Sequence, residues 1–174
     1  MEPQGWRVEL IRAQGAPGDS ETYPRWNVIC THDAGRPGDT VHFNSHHDVV
    51  EVGHGWTRDP FGGEYVPDED RIYGRGACDM KGGLAASIIA AEAFVDTCPD
   101  FAGAVEISAT ADEETGGYGG VAWLAKRGYF SQERVQHVII PEPLNKDRIC
   151  LGHRGVWWAE IETKGRIAHG SMPF

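Results

Sequence analysis

The sequence has no run of Lys or Arg, no CxxC pair, and no apolar stretch long enough to cross a bilayer. Each absence removes a class of function. Of 174 residues, 16 are basic and 26 acidic, so the net charge is −10 with His neutral. An acidic chain without a basic cluster is a poor ligand for nucleic acid or for an anionic membrane surface. The longest apolar stretches, around 84–95 and 135–141, are too short or too interrupted to span a membrane. Met1-Glu2-Pro3-Gln4-Gly5-Trp6 shows no basic segment followed by an apolar one, so no secretory signal is visible. The four cysteines, Cys30, Cys78, Cys98 and Cys150, lie too far apart for a disulfide framework. They read as reduced thiols, and the chain as cytoplasmic. No internal repeat or low-complexity tract occurs.

What the sequence does hold suffices for a core: 40% apolar residues and six Trp. The length allows one domain, or one domain and a piece of a second. Trp6–Ile11, Trp26–Cys30 and Thr40–Asn44 read as strands, and the third runs straight into Ser45-His46-His47-Asp48. Residues 51–70, rich in Gly, Pro and charge, read as a long surface loop of the kind that usually serves a site. Leu84, Ile88, Ala91 and Val95 share one helix face, which puts Asp79 near the start of that helix. Val105–Thr110 alternates like a strand and ends at Asp112-Glu113-Glu114. A glycine-rich turn then leads to a short helix at 121–126. Residues 135–140 form another strand, ending at Pro141-Glu142-Pro143, and 156–163 a last one. Strands alternating with helices predict an α/β layered fold.

The polar clusters recur in one kind of place. His46 and Asp48, Glu113 and Glu114, and Glu142 each follow a strand, and Asp79 opens a helix. Ligands of open α/β sheets bind outside the carboxyl ends of the strands. Each cluster alone has a plainer reading: a hydrogen-bonded His–Asp pair, a helix-capping Asp, a solvated acidic turn, a kinked strand end. Their joint recurrence at strand ends is what those readings leave unexplained. Eight His beside 26 carboxylates supply the ligand types of zinc and its neighbours. Adjacent residues of an extended segment face opposite sides, so only one of His46 and His47 points into such a site. His46 and Asp48 share a side, which lets the Asp48 carboxylate receive the second ring N–H of a metal-bound His46.

Ser45-His46-His47-Asp48-Val49-Val50, Trp56-Thr57-Arg58-Asp59-Pro60-Phe61, Gly74–Gly83 (GRGACDMKGG), Asp112-Glu113-Glu114 and Pro141-Glu142-Pro143 occur in that order. This series resembles the co-catalytic zinc amidohydrolases and peptidases typified by acetylornithine deacetylase, succinyl-diaminopimelate desuccinylase, aminoacylase and glutamate carboxypeptidase. The resemblance runs across nearly the whole chain. It implies a three-layer α/β/α catalytic domain with a mixed sheet over 1–155, and the start of an α+β lid or dimerisation domain over 156–174. It implies that His46 and Glu142 bind a first metal, Glu114 a second, and that Asp79 bridges the two. Asp48 would orient His46, and Glu113 would be the general base. His169, in Gly165-Arg166-Ile167-Ala168-His169-Gly170-Ser171, is similar to the lid histidine that stabilises the oxyanion across a dimer interface. The implied cofactor is Zn2+, one or two ions, with Co2+ or Mn2+ as substitutes. The implied substrate is an N-acyl amino acid or small peptide, cleaved at its amide bond.

The chain is short for that family. Members carry an N-terminal helical segment, a complete lid, and a return segment that supplies the second metal's His. No remaining histidine here sits in a matching motif, His54 and His153 included. The first metal keeps three protein ligands, a normal catalytic zinc set. The second keeps Asp79 and Glu114. Two readings follow: a metal-dependent amide hydrolase, or a truncated non-catalytic homologue holding at most one metal. An aminopeptidase of the related zinc fold fits the motif spacing less well. Full-length members are expected to be homodimers; nucleic-acid and membrane partners are not expected.

Overall fold

A computed structural model describes residues 5–144, 147–152, 154, 155, 157, 159–166, 169 and 171. The chain divides into two compact units, Met1–Pro143 and Leu144–Phe174. In the first unit, five strands form one mixed sheet: β1 (Arg7–Arg12), β2 (Trp26–Asp33), β3 (Thr40–His46), β6 (Ala104–Thr110) and β7 (His137–Ile139). The sheet order is β1-β2-β6-β3-β7. β1 pairs antiparallel with β2, and β2 antiparallel with β6. β3 runs parallel to both β6 and β7. Between β3 and β6 lie a small hairpin, β4 (Glu64–Val66) with β5 (Arg71–Tyr73), and the helix α1 (Gly83–Thr97). The helix α2 (Val121–Ala125) lies between β6 and β7.

This order explains the layering. The β3–α1–β6 crossover steps one way along the sheet, and the β6–α2–β7 connection steps back past β3. Right-handed crossovers in opposite directions put their helices on opposite faces. On one face Ala91 of α1 packs on Val105 and Ile107, with Phe43, Cys30, Leu84, Phe101 and Trp6 around them. On the other face Ile29 and Leu124 are fully buried. There Phe130 meets the edge of His42 and Arg134 reaches Glu106. β6 is consequently buried on both sides from Val105 to Ser108, as parallel strands under two layers are.

The second face is polar as well as apolar. Glu106, 3% exposed, takes hydrogen bonds from Thr31 Oγ1 at 3.0 Å and from Arg134 at 2.5 Å, and faces His42 Nδ1 at 3.0 Å. His42 Nε2 lies 2.8 Å from Ser108 Oγ, which also accepts from Asn44 at 2.7 Å. The register pairs His42 with Glu106 and Asn44 with Ser108. A slip of one residue would orphan the whole network.

Three expectations need correction. The 51–70 loop does not run unstructured to its end, because Glu64–Val66 begins the short hairpin. α1 begins at Gly83, whereas Asp79 (φ −111°, ψ 102°) and Met80 lie in an irregular turn before it. The strand expected over 156–163 is absent among the described residues there, which carry no regular structure. No strand among them offers a ladder partner, and a lone strand leaves its backbone groups unpaired. Trp157 is correspondingly exposed; Trp158 and His153 lie outside the described residues. Among the described residues no helix is long and apolar enough to cross a membrane.

Candidate metal centre

The three parallel strands deliver the acidic and imidazole groups. β3 ends at His46. β6 ends at Thr110, with Glu113 and Glu114 in the turn beyond. β7 ends at Ile139, with Glu142 just beyond. All lie past the carboxyl ends of neighbouring strands, where the connections leave the sheet in opposite directions. The turn before α1 brings in Asp79. Its approach depends on Gly83, where a Cβ would lie 2.3 Å from the Pro141 carbonyl oxygen. Glycine there lets the start of α1 pack on the backbone next to Glu142.

His46 is the buried hub, 1% exposed. Its Nε2 lies 3.1 Å from Asp79 Oδ1, 3.7 Å from Glu113 Oε2 and 3.7 Å from Glu142 Oε1. Two donor sets each hold their ligand atoms within 4.8 Å of one another: His46, Glu113 and Glu142, and His46, Asp79 and Glu114. Beneath the ring, the His46 backbone N–H points at Met80 Sδ, 3.2 Å away. His47 turns elsewhere, its ring 2.9 Å from the Trp26 carbonyl oxygen.

Asp48 does a different job from the one its spacing suggests. His46 Nδ1 donates to the Asp48 backbone carbonyl at 3.0 Å, while the nearer carboxylate oxygen is 3.5 Å away. The carboxylate is already engaged: it accepts the backbone N–H groups of Glu113 and Glu114, each at 3.1 Å. A carbonyl can only accept, so Nδ1 carries a proton, and Nε2 is the ring nitrogen left to face the carboxylates or a cation held among them. That is the arrangement a metal needs.

The electrostatics point the same way. Partial burial pushes the Glu114 carboxyl up, and the charge of Asp79 adds to it. Burial likewise raises Glu142, with Asp79 and Glu113 contributing. Burial pulls the His46 imidazole down, but the Asp48 carbonyl and the surrounding carboxylates outweigh it and hold it above its ordinary value. Carboxylates crowded round one ring repel each other unless a positive charge sits among them.

His169 belongs to the second unit, where it is exposed with Nδ1 2.8 Å from Ser171 Oγ. The residues that local reading missed are those shaping the Glu113–Glu114 turn. Asn27, fully buried, donates to the Gly119 carbonyl and accepts from the Ala111 N–H. Asp112 is buried rather than a solvated acid.

A strand-end constellation of this kind on a doubly covered mixed sheet offers the donor groups that could hold a metal ion. Residues 42–169 match the family model "Peptidase family M20/M25/M40", and the chain belongs to that family. Curated relatives include the succinyl-diaminopimelate desuccinylase of Methylorubrum extorquens (strain PA1), 39% identical over 97% of this chain and 44% of the relative. That of Paracoccus denitrificans (strain Pd 1222) is 36% identical over 97% and 43%. The chain thus spans less than half the length of these relatives. Among solved structures, human carnosine dipeptidase 1 aligns at TM-score 0.59 and 27% identity, over 78% of this chain and 29% of that one. An M20 family metallo-carboxypeptidase from Sulfolobus solfataricus aligns at TM-score 0.60 and 24% identity, over 79% and 28%; it supports the fold alone.

Proposed function

We propose that this chain carries the metal-binding part of a hydrolase that cleaves the amide bond of an N-acyl amino acid or small peptide. The observation that carries the reading is the convergence of Asp79, Glu113, Glu114 and Glu142 on the Nε2 of a buried His46. His46, Asp79 and Glu142 would hold a first zinc, and Asp79 would share a second ion with Glu114. The donor set is nitrogen and oxygen only, which suits Zn2+ and also accepts Co2+ or Mn2+. The catalytic portion is assigned to residues 1–155 and the start of a lid to 156–174.

A divalent cation in such a site supplies positive charge that lowers the pKa of water toward about 7 and polarises a carbonyl. The rest falls to the protein. Glu113, about half exposed beside His46, takes the proton of the attacking water and passes it to the leaving amine. The Asp48 carboxylate holds the backbone of Glu113 and Glu114 while its carbonyl holds the His46 ring. In a dimer, His169 would donate across the interface, to the oxygen that gains charge in the other copy's centre as the amide carbon becomes tetrahedral. The desuccinylase relatives make an N-succinyl amino acid the first substrate to try.

The test is Glu113→Ala in the protein that turns over the substrate. Turnover should fall at least about a thousandfold while metal content stays at the wild-type level. An active Glu113→Ala enzyme would refute the assignment. A second reading is a metal-binding chain without turnover of its own. Hydrolysis of an N-acyl amino acid by the 174-residue chain at enzymatic rates would exclude it.

A further inference from the structure

We infer that Asp112 is a positioning residue that sets the direction of the Glu113–Glu114 pair, with Arg25 and Asn27 as its supports. The inference rests on the reading of that pair as metal-centre groups. Asp112 lies two residues past the end of β6 and has φ 67°, a left-handed conformation that residues with a Cβ adopt rarely, Asn and Asp most readily. It turns the chain sharply out of the strand, so that Glu113 and Glu114 come next. Its carboxylate holds that turn from inside. One oxygen accepts the Thr115 hydroxyl at 2.5 Å and the other the Gly119 N–H at 2.9 Å. Its own carbonyl accepts the Gly117 N–H at 2.6 Å. Arg25 Nε lies 3.3 Å from the carboxylate and supplies the counter-charge.

The far side of the turn is closed by Asn27. Its amide bridges the Ala111 N–H, at 3.0 Å, and the Gly119 carbonyl, at 2.9 Å. The stem of the turn is therefore clamped to β2, which carries Asn27. From the metal side, the Asp48 carboxylate takes the Glu113 and Glu114 N–H groups. The pair is thus held from both sides: by one carboxylate facing the centre, and by a second, buried carboxylate behind the turn. A merely solvated acidic turn needs neither a buried Asp nor a paired Arg, since burying a charge is costly unless it is satisfied. The arrangement gives the two glutamates fixed backbone positions before any ligand arrives.

The test variant is Asp112→Asn. Asn tolerates the left-handed backbone as Asp does, so the change removes charge and an acceptor without adding strain. Amide hydrogen exchange on the 174-residue chain gives the first readout. The Glu113, Glu114, Gly117 and Gly119 amides should exchange about ten- to a hundredfold faster, the loss expected for a charge-assisted hydrogen bond. Amides inside β6 should change far less. Unchanged protection in the turn, or a uniform loss across the sheet, would overturn the inference, the second because it marks general destabilisation. The second readout is cobalt(II) titration followed by visible absorption. Weaker binding with an altered band in Asp112→Asn is expected, and identical binding and band in both proteins would overturn the positioning role. If the wild-type chain takes up no cobalt, the metal reading falls and hydrogen exchange alone decides the positioning role. Thr115→Val, which removes one donor and keeps the charge, should give the same local pattern in weaker form if Asp112→Asn does not fold.

Discussion

Glu106 gives the sharpest stability prediction. It is almost fully buried in the middle of β6, and both carboxylate oxygens are occupied by Thr31, Arg134 and His42. Truncation in Glu106→Ala leaves the buried His42 and Thr31 without this partner, at about 1–3 kcal/mol for each orphaned group. Arg134 is partly exposed and can turn to water. Breaking a buried charge pair by removing one side costs about 3–5 kcal/mol in total, so the expected loss is about 4 kcal/mol. That is a large share of the roughly 5–15 kcal/mol that holds a domain together. Glu106→Gln keeps the shape and one acceptor and should lose about half as much. Urea titration at neutral pH measures both.

The pH dependence follows from the sign of the shift. Burial alone would raise the Glu106 carboxyl, but His42 and Arg134 hold it below its ordinary value. A depressed folded-state pKa gives stability that is fully present above the unfolded value of about 4.3 and is lost as pH falls through the lower folded value. The gap between wild type and Glu106→Gln should therefore be widest near neutral pH and narrow below about pH 4. A Glu106→Ala protein within 1 kcal/mol of wild type, or a gap that widens in acid, would refute the account of the network.

Three further perturbations test other links. Asp48→Asn keeps one acceptor for the Glu113 and Glu114 N–H groups and loses the charge, so zinc affinity should fall about tenfold in calorimetric titration. Gly83→Val drives a side chain into the Pro141 carbonyl oxygen 2.3 Å away; thermal unfolding should show a loss of at least about 2 kcal/mol. Among the free thiols, Cys78, Cys98 and Cys150 are exposed, while burial pushes the Cys30 thiol up. An aromatic disulfide reagent should therefore modify three thiols quickly and Cys30 only slowly, until denaturant is added.

The parts of the molecule legible in sequence were those with local signals. The apolar run of β2, the strand signal of β3, the alternation of β6 and the period of α1 stand out because each element is long enough to show a pattern. His46, Glu113, Glu114 and Glu142 stand out as candidates because each lies at or shortly after the end of a strand-like run. The remainder depends on contacts far apart in sequence. Nothing near Asn27 marks it as the clamp of a turn at Ala111 and Gly119, and nothing near Glu106 announces His42 and Arg134. Asp48 shows the limit of spacing arguments: its alternation with His46 puts its carboxylate 3.5 Å from the ring, but that carboxylate is claimed by two backbone N–H groups of a distant turn. The hairpin of β4 and β5 escaped because strands of three residues show no period. The strand expected over 156–163 has the composition of a strand, yet the described residues there carry no regular structure.

The most direct test of the metal centre is zinc per chain, by elemental analysis of the purified 174-residue protein after dialysis. About one tightly held zinc is expected, as a three-ligand site requires, and its loss in Asp79→Ala with the fold retained. A chain that is folded by circular dichroism yet holds no zinc, and takes up none when it is added back, would contradict the central claim that these strand-end groups form a metal site.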